Sequence, residues 1–557
     1  MRTGFRQSMA WLHTWTGLLV CWVLLLMFCG GTASYFKDEI SLWMRPELHR
    51  NAAAAPDVPA AQATEGAVRY LNSVAPDAAR WSISLPDERQ PYASVLWVYQ
   101  PGKGPRDAEG KPRRFDTRLL DPATGAPLQA ARETRGGEFL YRLHFDLHYM
   151  PAKWARWIAG FCAMFMLVAI VSGVITHRRI FADFFTFRRG KGQRSWLDAH
   201  NALAVLALPF HLMITYTGLV TLLFMYMPWG IEAAYRGDQR GDPRGDQRAF
   251  QAEAMQRPPQ RKPAGTPAEL APVGAMVAQA QQRWQGAEPQ RVVVNLPGDA
   301  NATVSITRAE PRALAHVAPT LEFSGKDGTL MQGYAEDQPG AELTHSVMTG
   351  LHIAGFASPG LRALFFLCGL AGTAMVATGA ILWAARTRQQ QAKAIGAGAR
   401  PSVGLRLVEA LNIGAIAGLP VAFAGYFWAN RLLPAEMLQR QETEIRWFFI
   451  AWGVCALLAQ VRPTGAMWRV QLWAGALLFG GIPVLNALTT DSHLGVTLLQ
   501  GRGPAAVAGF DLVTLALGIA LGAAAWMTGR RQPAARSPLQ ARAQARGAKV
   551  AAGQEAA

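Results

Sequence analysis

The chain has 557 residues, of which 50% are hydrophobic and only 17% are charged, yet its formal net charge is +17. In an average soluble protein about a quarter of the residues are charged, so this composition excludes an ordinary soluble enzyme. The abundance of core-forming residues also excludes a disordered chain. A basic excess is typical of nucleic-acid binding and also of the short cytoplasmic loops of membrane proteins, so the position of the charges has to decide.

Apolar runs of about 20 residues are long enough to cross the hydrocarbon of a bilayer. They predict a polytopic all-α membrane protein with about eight transmembrane helices. The expected spans are 11–34 (in the segment 1–34), 154–176, 199–226, 361–384 and, within 405–528, four further helices at 405–430, 446–461, 468–488 and 507–528.

Basic residues concentrate in three of the segments that join or follow these helices. The loops 177–198 and 385–404 and the tail 529–557 all carry several Arg or Lys side chains. Lys and Arg favour the cytoplasmic side, which predicts that both termini are cytoplasmic. The basic residues are therefore interpreted as a signal that orients the helices in the membrane. They predict a multi-pass protein of the bacterial inner membrane that contacts the lipid bilayer and does not bind nucleic acid.

Two long segments, 35–153 and 227–360, are expected on the periplasmic side. Each begins with a polar stretch, such as the linker 236–262, and continues with a helical run, at 61–75 and 269–284. Alternating apolar and polar residues that predict β-strands then follow. Each segment is thus predicted to form a small α+β domain.

The first four helices and these two domains form an internal repeat, so that helix–domain–helix occurs twice. The corresponding positions are Ser84-Leu-Pro-Asp with Asn295-Leu-Pro-Gly, Leu147-His148 with Leu351-His352, Ser172-Gly173 with Thr378-Gly379, and His13 with His200.

Cysteine usage excludes several redox chemistries. The five cysteines are Cys21, Cys29, Cys162, Cys368 and Cys455, all inside apolar runs. The chain has no C-x-x-C motif, which excludes covalent haem attachment, zinc ribbons and thioredoxin-type motifs. Four clustered thiolates for an iron–sulfur centre are also missing, and no disulfide framework is expected.

Histidines mark the candidate site. Eight of the eleven lie in or beside the first four helices, at His13, His144, His148, His177, His200, His211, His345 and His352. Polar side chains within a bilayer are costly and usually functional. A lone interfacial histidine is more often structural, and His49 and His316 are interpreted in that way.

The histidines separate into two depths. His13, His177 and His200 lie at cytoplasmic helix ends, and His144, His148, His345 and His352 lie at periplasmic ends. His211 follows His200 by 11 residues, which is about 16 Å along a straight helix and returns to the same face. This spacing predicts two stacked metal centres.

Two non-covalent b-type haems, each held by two histidines, satisfy this pattern. At the inner depth any pair of His13, His177 and His200 is a candidate, and at the outer depth His211 is expected to pair with His148 or His352. Zinc or copper is the main alternative metal.

The sequence resembles the PepSY-associated transmembrane helix proteins, also called iron-regulated membrane proteins, over residues 1–390. The motifs that carry the resemblance are Trp11-Leu-His-Thr-Trp-Thr-Gly17, Gly31-Thr-Ala-Ser-Tyr-Phe-Lys-Asp-Glu-Ile40, Leu143-His-Phe-Asp-Leu-His-Tyr-Met150, Ser172-Gly-Val-Ile-Thr-His-Arg-Arg179, Trp196-Leu-Asp-Ala-His200 and Pro209-Phe-His211. The resemblance implies PepSY domains, each a helix on a small antiparallel sheet, and a haem-containing reductase of ferric siderophores. Some members carry a fused flavoprotein module, but this chain has no G-x-G-x-x-G motif for a bound flavin or nucleotide.

These observations predict a haem-dependent oxidoreductase of the ferric-chelate reductase type, used for iron uptake. Electrons would come from a separate cytoplasmic flavin or flavoprotein and reach a periplasmic ferric chelate docked between the two domains. The alternative is a membrane-anchored PepSY module that binds a peptide, protease or metal without redox chemistry. A transporter built from helices five to eight would need paired intramembrane charges, and the sequence indicates only Glu409 there.

Overall fold

The computed structural model describes residues 4–50, 58–106, 110–128, 131–177, 193–234, 258, 261–310, 312–338 and 340–529. Most of the basic loop 177–198, the basic residues of the tail 529–557 and most of the linker 236–262 lie outside the described residues.

The described helices are numbered in chain order. They are α1 Phe5–Ser34, α2 Lys37–Trp43, α3 Ala60–Val74, α4 Gly136–Asp146, α5 Ala152–Thr176, α6 Gln193–Leu206, α7 Leu208–Thr221, α8 Leu223–Tyr226, α9 Pro228–Ala234, α10 Val273–Arg283, α11 Gly340–Ile353, α12 Pro359–Gln390, α13 Ala392–Gly396, α14 Val403–Leu432, α15 Arg440–Val461, α16 Gly465–Thr489 and α17 Ala505–Gly529. Helix α14 includes a wider, π-helical turn at Ile413–Ala417. The strands are β1 Arg80–Ser84, β2 Ala93–Val98, β3 Phe115–Leu120, β4 Pro289–Asn295, β5 Thr303–Arg308, β6 Thr320–Ser324 and β7 Leu330–Tyr334.

Seven of these helices are long and apolar enough to cross a membrane, and the bent pair α6–α7 makes eight if it counts as one span. Their outward faces expose large apolar side chains, as expected for surfaces that contact lipid rather than water. Examples are Leu19, Leu367, Leu477, Leu488 and Ile519. The predicted fold class, a polytopic membrane protein with a small α+β region, is confirmed.

The third span is not a straight helix. Helices α6 and α7 meet at Ala207 at an angle of 68°. Pro209 occupies the first turn of α7, where its missing N–H and its ring break the hydrogen bonding of a continuous helix. The prediction that His200 and His211 lie on one helix face about 16 Å apart assumed an unbroken helix. Because the helix is broken between them, that spacing calculation is wrong.

The two α+β segments share one sheet. All seven strands are antiparallel to their neighbours, in the order β3-β2-β1-β4-β5-β6-β7. Strands β1 and β4, one from each segment, pair at the centre. The sequence analysis expected a ferric chelate to dock between two separate domains. In the structure, paired strands occupy the position between the two segments.

The register of the central pair follows the internal repeat. The repeat equates Ser84 with Asn295, and therefore Ser82 with Val293. Ser82 is directly opposite Val293 in the sheet, with Ser84 opposite Arg291 on one side of that pair. The two halves therefore pair through equivalent strands, β1 and β4. This is the kind of isologous contact that forms in a two-fold symmetric dimer.

One apolar core lies between this sheet and the helices α3 and α10. It contains fully buried side chains from both halves, including Ile83 and Val95 from the first and Val292, Val304 and Phe323 from the second. Alternate residues of β1, β2, β4 and β5 belong to this core, as the period of two in the sequence predicted.

The last four spans contain buried charges that the sequence analysis did not recognise. Arg431, Arg440, Glu444 and Asp511 are all less than a tenth exposed. They lie near the ends of apolar runs, where the sequence alone does not separate buried from solvated charges. Glu409, the one charge expected there, forms a two-pronged ion pair with Arg388 at 2.6 and 2.7 Å.

The free energy of unfolding is expected to depend on pH through the buried side chain of His49. Its Nε2 lies 3.0 Å from the carbonyl of Leu42. Burial, and then the charge of Arg431, lowers the pKa of His49 from 6.5 to about 4, although Glu47 acts in the opposite direction. Below pH 6.5 the unfolded chain therefore binds a proton that the folded chain rejects, and stability is lost as the pH falls towards 4.

For a shift of this size the loss is on the order of 3 kcal/mol, because one pKa unit corresponds to about 1.4 kcal/mol. His49→Gln keeps a donor for Leu42 and removes the titration. Unfolding free energies measured from neutral to acidic pH should fall less steeply for this variant. Parallel profiles for the two proteins would contradict the prediction.

Candidate haem-binding site

Two histidines meet at the end of the helix bundle that lies away from the sheet. We call His13 of α1 and His200 of α6 the sheet-distal pair. Their ring centroids are 6.2 Å apart at an interplanar angle of 68°. His13 Nδ1 lies 2.8 Å from the carbonyl of Ala169 in α5, and His200 Nδ1 lies 2.8 Å from the carbonyl of Met375 in α12.

These hydrogen bonds determine which ring nitrogen is available. A carbonyl oxygen can only accept, so Nδ1 of each ring carries the proton and donates it. Nε2 is then the unprotonated nitrogen with a lone pair. A backbone carbonyl on the other ring nitrogen is the usual support of a metal-ligating histidine.

The surroundings of the two rings repeat residue by residue. A Cβ added to Gly173 would lie 3.1 Å from Cε1 of His13, and one added to Gly379 would lie 3.1 Å from Cε1 of His200. Each glycine follows the accepting carbonyl by four residues. The internal repeat predicted from Ser172-Gly173 and Thr378-Gly379 therefore places equivalent histidines against equivalent glycines.

The hydroxyl groups of Ser172 and Thr378 in the same dipeptides bind the carbonyls that accept from the two histidines. Ser172 Oγ donates to the carbonyl of Ala169 at 3.2 Å, and Thr378 Oγ1 donates to the carbonyl of Met375 at 2.9 Å. Each carbonyl thus accepts from both a hydroxyl and an imidazole, which restricts the orientation of both rings.

The separation of the rings fits two ligands of one metal ion. A metal midway between two imidazoles would stand about 3 Å from each centroid, since metal–nitrogen bonds are about 2 Å and the ring adds about 1 Å. The expected centroid separation is therefore about 6 Å, against the observed 6.2 Å.

A cavity of about 400 Å³ surrounds this pair and extends along α1, α5, α6 and α12. Its walls are mainly apolar, as in a site for an apolar cofactor. His177, the third candidate at this depth, also lines it. Its Nε2 lies 2.8 Å from Nδ2 of Asn201, so this histidine already has a polar partner.

His211 lies on the wall of the same cavity, beyond the break in the third span. It is 1% exposed, and within the described residues no hydrogen bond of ordinary geometry reaches either ring nitrogen, although the backbone carbonyls of Cys368 and Ala204 lie close to the ring. Its ring contacts Phe28 edge-on at 6.2 Å, and a Cβ on Gly372 would lie 3.1 Å from its Nε2. A buried imidazole without partners is costly, which makes His211 a further candidate ligand or neighbour of a bound group.

A second pair lies nearer the sheet. We call His144 of α4 and His352 of α11 the sheet-proximal pair. Burial lowers the pKa of His144 to about 3, and the charge of His352 contributes in the same direction. His352 Nδ1 lies 3.2 Å from Thr217 Oγ1.

The sheet-proximal pair also follows the repeat. A Cβ on Gly31 of α1 would lie 3.8 Å from Cδ2 of His144, and one on Gly218 of α7 would lie 2.9 Å from Cε1 of His352. Gly31 follows His13 by the same 18 residues by which Gly218 follows His200. His144, rather than His148, is thus the structural counterpart of His352.

The other two candidates lie elsewhere. His148 stacks on Phe449 at 5.7 Å and its Nε2 lies 3.8 Å from Glu442, so it is not brought to His211. His345 lies two turns before His352 on α11, and its ring contacts Phe224 at 4.8 Å. Within the described ranges, no three His, Cys, Asp or Glu side chains form a metal-binding group.

The last four spans hold the helix that carries His144. Glu444 of α15 accepts from Thr134, just before α4, at 2.5 Å. Tyr426 of α14 donates to the carbonyl of Gly136 at 3.0 Å. Sequence analysis did not find this role, because the contacts join residues about 300 positions apart.

The fold and the two histidine pairs define a polytopic membrane protein built from a duplicated helix–sheet–helix unit. The chain belongs to the family of PepSY-associated TM regions, which matches residues 10–386. It is also similar to an uncharacterized protein of Pseudomonas aeruginosa, with 28% identity over 381 residues, or 66% of this chain and 88% of that protein. The helices α14–α17 follow the matched family region.

Proposed function

We propose that the protein carries electrons across the bacterial inner membrane through two b-type haems, from a cytoplasmic reductant to a ferric chelate in the periplasm. The observation that carries the proposal is the sheet-distal pair. The ring centroids of two equivalent imidazoles lie 6.2 Å apart in an edge-on arrangement, and Nδ1 of each ring is hydrogen-bonded to a backbone carbonyl.

The residues of this pair would hold the first haem. His13 and His200 present Nε2, and their Nδ1 hydrogen bonds keep that nitrogen unprotonated and aimed. Gly173 and Gly379 leave room beside the rings, since any side chain there would meet Cε1. Bound haem supplies one-electron redox chemistry, whose potential depends on its axial ligands and on burial.

His144 and His352 would hold the second haem, nearer the sheet. Gly31 and Gly218 lie beside them as Gly173 and Gly379 lie beside the first pair. Two sites at two depths shorten each electron-transfer step relative to a single step across hydrocarbon of about 30 Å. With basic loops on the cytoplasmic side, the direction is from the sheet-distal pair to the sheet-proximal pair, and a separate flavin or flavoprotein is the donor.

The deciding experiment is a reduced-minus-oxidised visible spectrum of the purified protein, expressed with a supply of haem. We expect b-type bands and about two haems per chain, because each bis-histidine site takes one. Metal analysis of the same sample tests zinc and copper. A protein that carries zinc or copper and no haem would overturn the proposal and favour the binding-module alternative.

A further inference from the structure

The cavity of the sheet-distal pair has a polar end at the surface of the helix bundle. It is lined there by Thr176, the last residue of α5, by Gln193, the first residue of α6, and by Arg386, close to the end of α12. These helix ends lie away from the sheet. Arg386 is exposed, so this end of the cavity reaches the surface. We call it the mouth.

The part of the cavity between the histidine pair and the sheet is apolar. Leu24 lines it and follows His13 by 11 residues, about 16 Å along α1. Met166 lines it from α5 and precedes Gly173 by seven residues, about 10 Å. Among the described residues of this part of the lining, only His211 carries a side-chain nitrogen or oxygen. A carboxylate placed here would lose its hydration without gaining a cation, which is strongly unfavourable.

Arg386 supplies the positive charge of the mouth. It is the one lysine or arginine among the described residues that line the cavity, and none of those residues is Asp or Glu. Within the described ranges Arg386 forms no ion pair, whereas Arg388, two residues later, is held by Glu409 at 2.6 Å. The guanidinium group of Arg386 is therefore available to an anionic group in the cavity.

Arg386 lies on the same side of α12 as the glycine beside the histidine pair. It follows Gly379 by seven residues, which is about 10 Å along the helix and returns to within about 20° of the same face. Gly379 lies against the ring of His200, since a Cβ there would be 3.1 Å from Cε1. A flat group centred between His13 and His200 thus has Arg386 at its edge towards the mouth.

The charge distribution of haem matches this cavity. Haem b is a largely apolar macrocycle with its propionate carboxylates on one edge. The apolar part of the cavity suits the macrocycle, and the mouth provides the cation that the carboxylates need on leaving water. Guanidinium groups bind carboxylates through paired hydrogen bonds, so Arg386 fits this role better than a point charge would.

We propose that Arg386 binds a propionate carboxylate of the sheet-distal haem, turns the carboxylate edge of that haem towards the mouth and favours the reduced iron. The inference rests on the proposed function and assigns a residue that holds the cofactor. Reduction of iron(III) to iron(II) adds one negative charge to the site, and a fixed cation nearby stabilises that state. The carboxylate edge then faces the side from which the cytoplasmic reductant delivers the electron.

The test compares haem with haem dimethyl ester, whose propionates carry no charge. The full chain is purified from a host that makes no haem, reconstituted with either compound, and its release to excess apomyoglobin is followed by absorbance. With haem, half of the cofactor in Arg386→Gln should leave about fivefold faster than in the parent, the upper range for an exposed ion pair. The other half should leave at the parent rate. With the dimethyl ester, the variant and the parent should be alike.

Two further variants and one further measurement separate binding from a merely structural role. Arg386→Lys keeps the charge and should restore most of the parent rate. Lys393→Gln removes the same charge from an exposed position outside the cavity lining and should behave like the parent. Redox titration should show a lower midpoint potential for one of the two haems in Arg386→Gln.

The possible results lead to different conclusions. An unchanged release rate and potential in Arg386→Gln, equal acceleration for the dimethyl ester, or equal acceleration in Lys393→Gln overturns the inference, while the bound haem still supports the proposed function. A parent chain that takes up no haem overturns the proposed function and the inference together.

Discussion

The His200→Ala protein is expected to lose the haem of the sheet-distal pair, and with it about half of the b-type absorbance. The reason is that two axial histidines hold each iron in such a site. In the proposed site His200 would supply one of them, and its hydrogen bond to the carbonyl of Met375 fixes the orientation of its ring. Haem content per chain, measured on the purified variant, gives the result directly.

His177→Ala is the matched control. His177 lines the same cavity, but its Nε2 already binds the side-chain amide of Asn201. This variant should retain both haems. If His177→Ala loses haem and His200→Ala keeps it, the sheet-distal pair is wrongly assigned.

A second variant keeps both imidazoles. In Gly379→Leu, the new side chain begins where a Cβ would lie 3.1 Å from Cε1 of His200. The added atoms displace the ring from its orientation, so we expect the same loss of haem without loss of a ligand. A retained haem content would contradict the role given to this glycine.

Glu444→Ala is expected to lower the free energy of unfolding by about 3–5 kcal/mol, because it leaves a buried cation without its partner. Both side chains of the Arg440–Glu444 pair are fully buried. Glu444 also accepts from Thr134 at 2.5 Å and from Asn430 at 2.8 Å. Unfolding in mixed micelles, followed by circular dichroism, measures the change.

Asp491→Ala serves as the control, because its ion pair with Arg50 is more than 80% exposed on both sides. Exposed pairs contribute little, so this variant should unfold like the parent. Glu444 also holds the start of α4, which carries His144. Haem loss in Glu444→Ala should therefore affect the sheet-proximal site first, and an equal loss at both sites would show that the effect is global unfolding.

The sequence was sufficient for features that depend on local composition. Length and apolarity located the spans to within a few residues, since the bilayer thickness sets the length of a helix. The strands at β1, β2, β4 and β5 followed from alternation, because neighbouring side chains of a strand face opposite sides. The matched segments, which include the dipeptides at Gly173 and Gly379, together indicated the duplication.

Contacts between distant residues needed the tertiary structure. The sequence left His13, His177 and His200 as equal candidates, and only helix packing shows which two rings face each other. The counterpart of His352 is His144 rather than His148, because the orientation of α4 decides which side chain meets α1. The break at Pro209 altered a spacing argument that holds only for a straight helix.

The sequence by itself thus determined a duplicated, basic, multi-pass membrane protein whose histidines cluster around four helices, and its lack of C-x-x-C limited any haem to non-covalent binding. The tertiary structure decided the histidine pairs, the single sheet made from two segments, and the buried charges that join α15 to α4. Composition and periodicity act over one helix or strand. Strand pairing, ring orientation and charge burial depend on surfaces that meet only after the chain has folded.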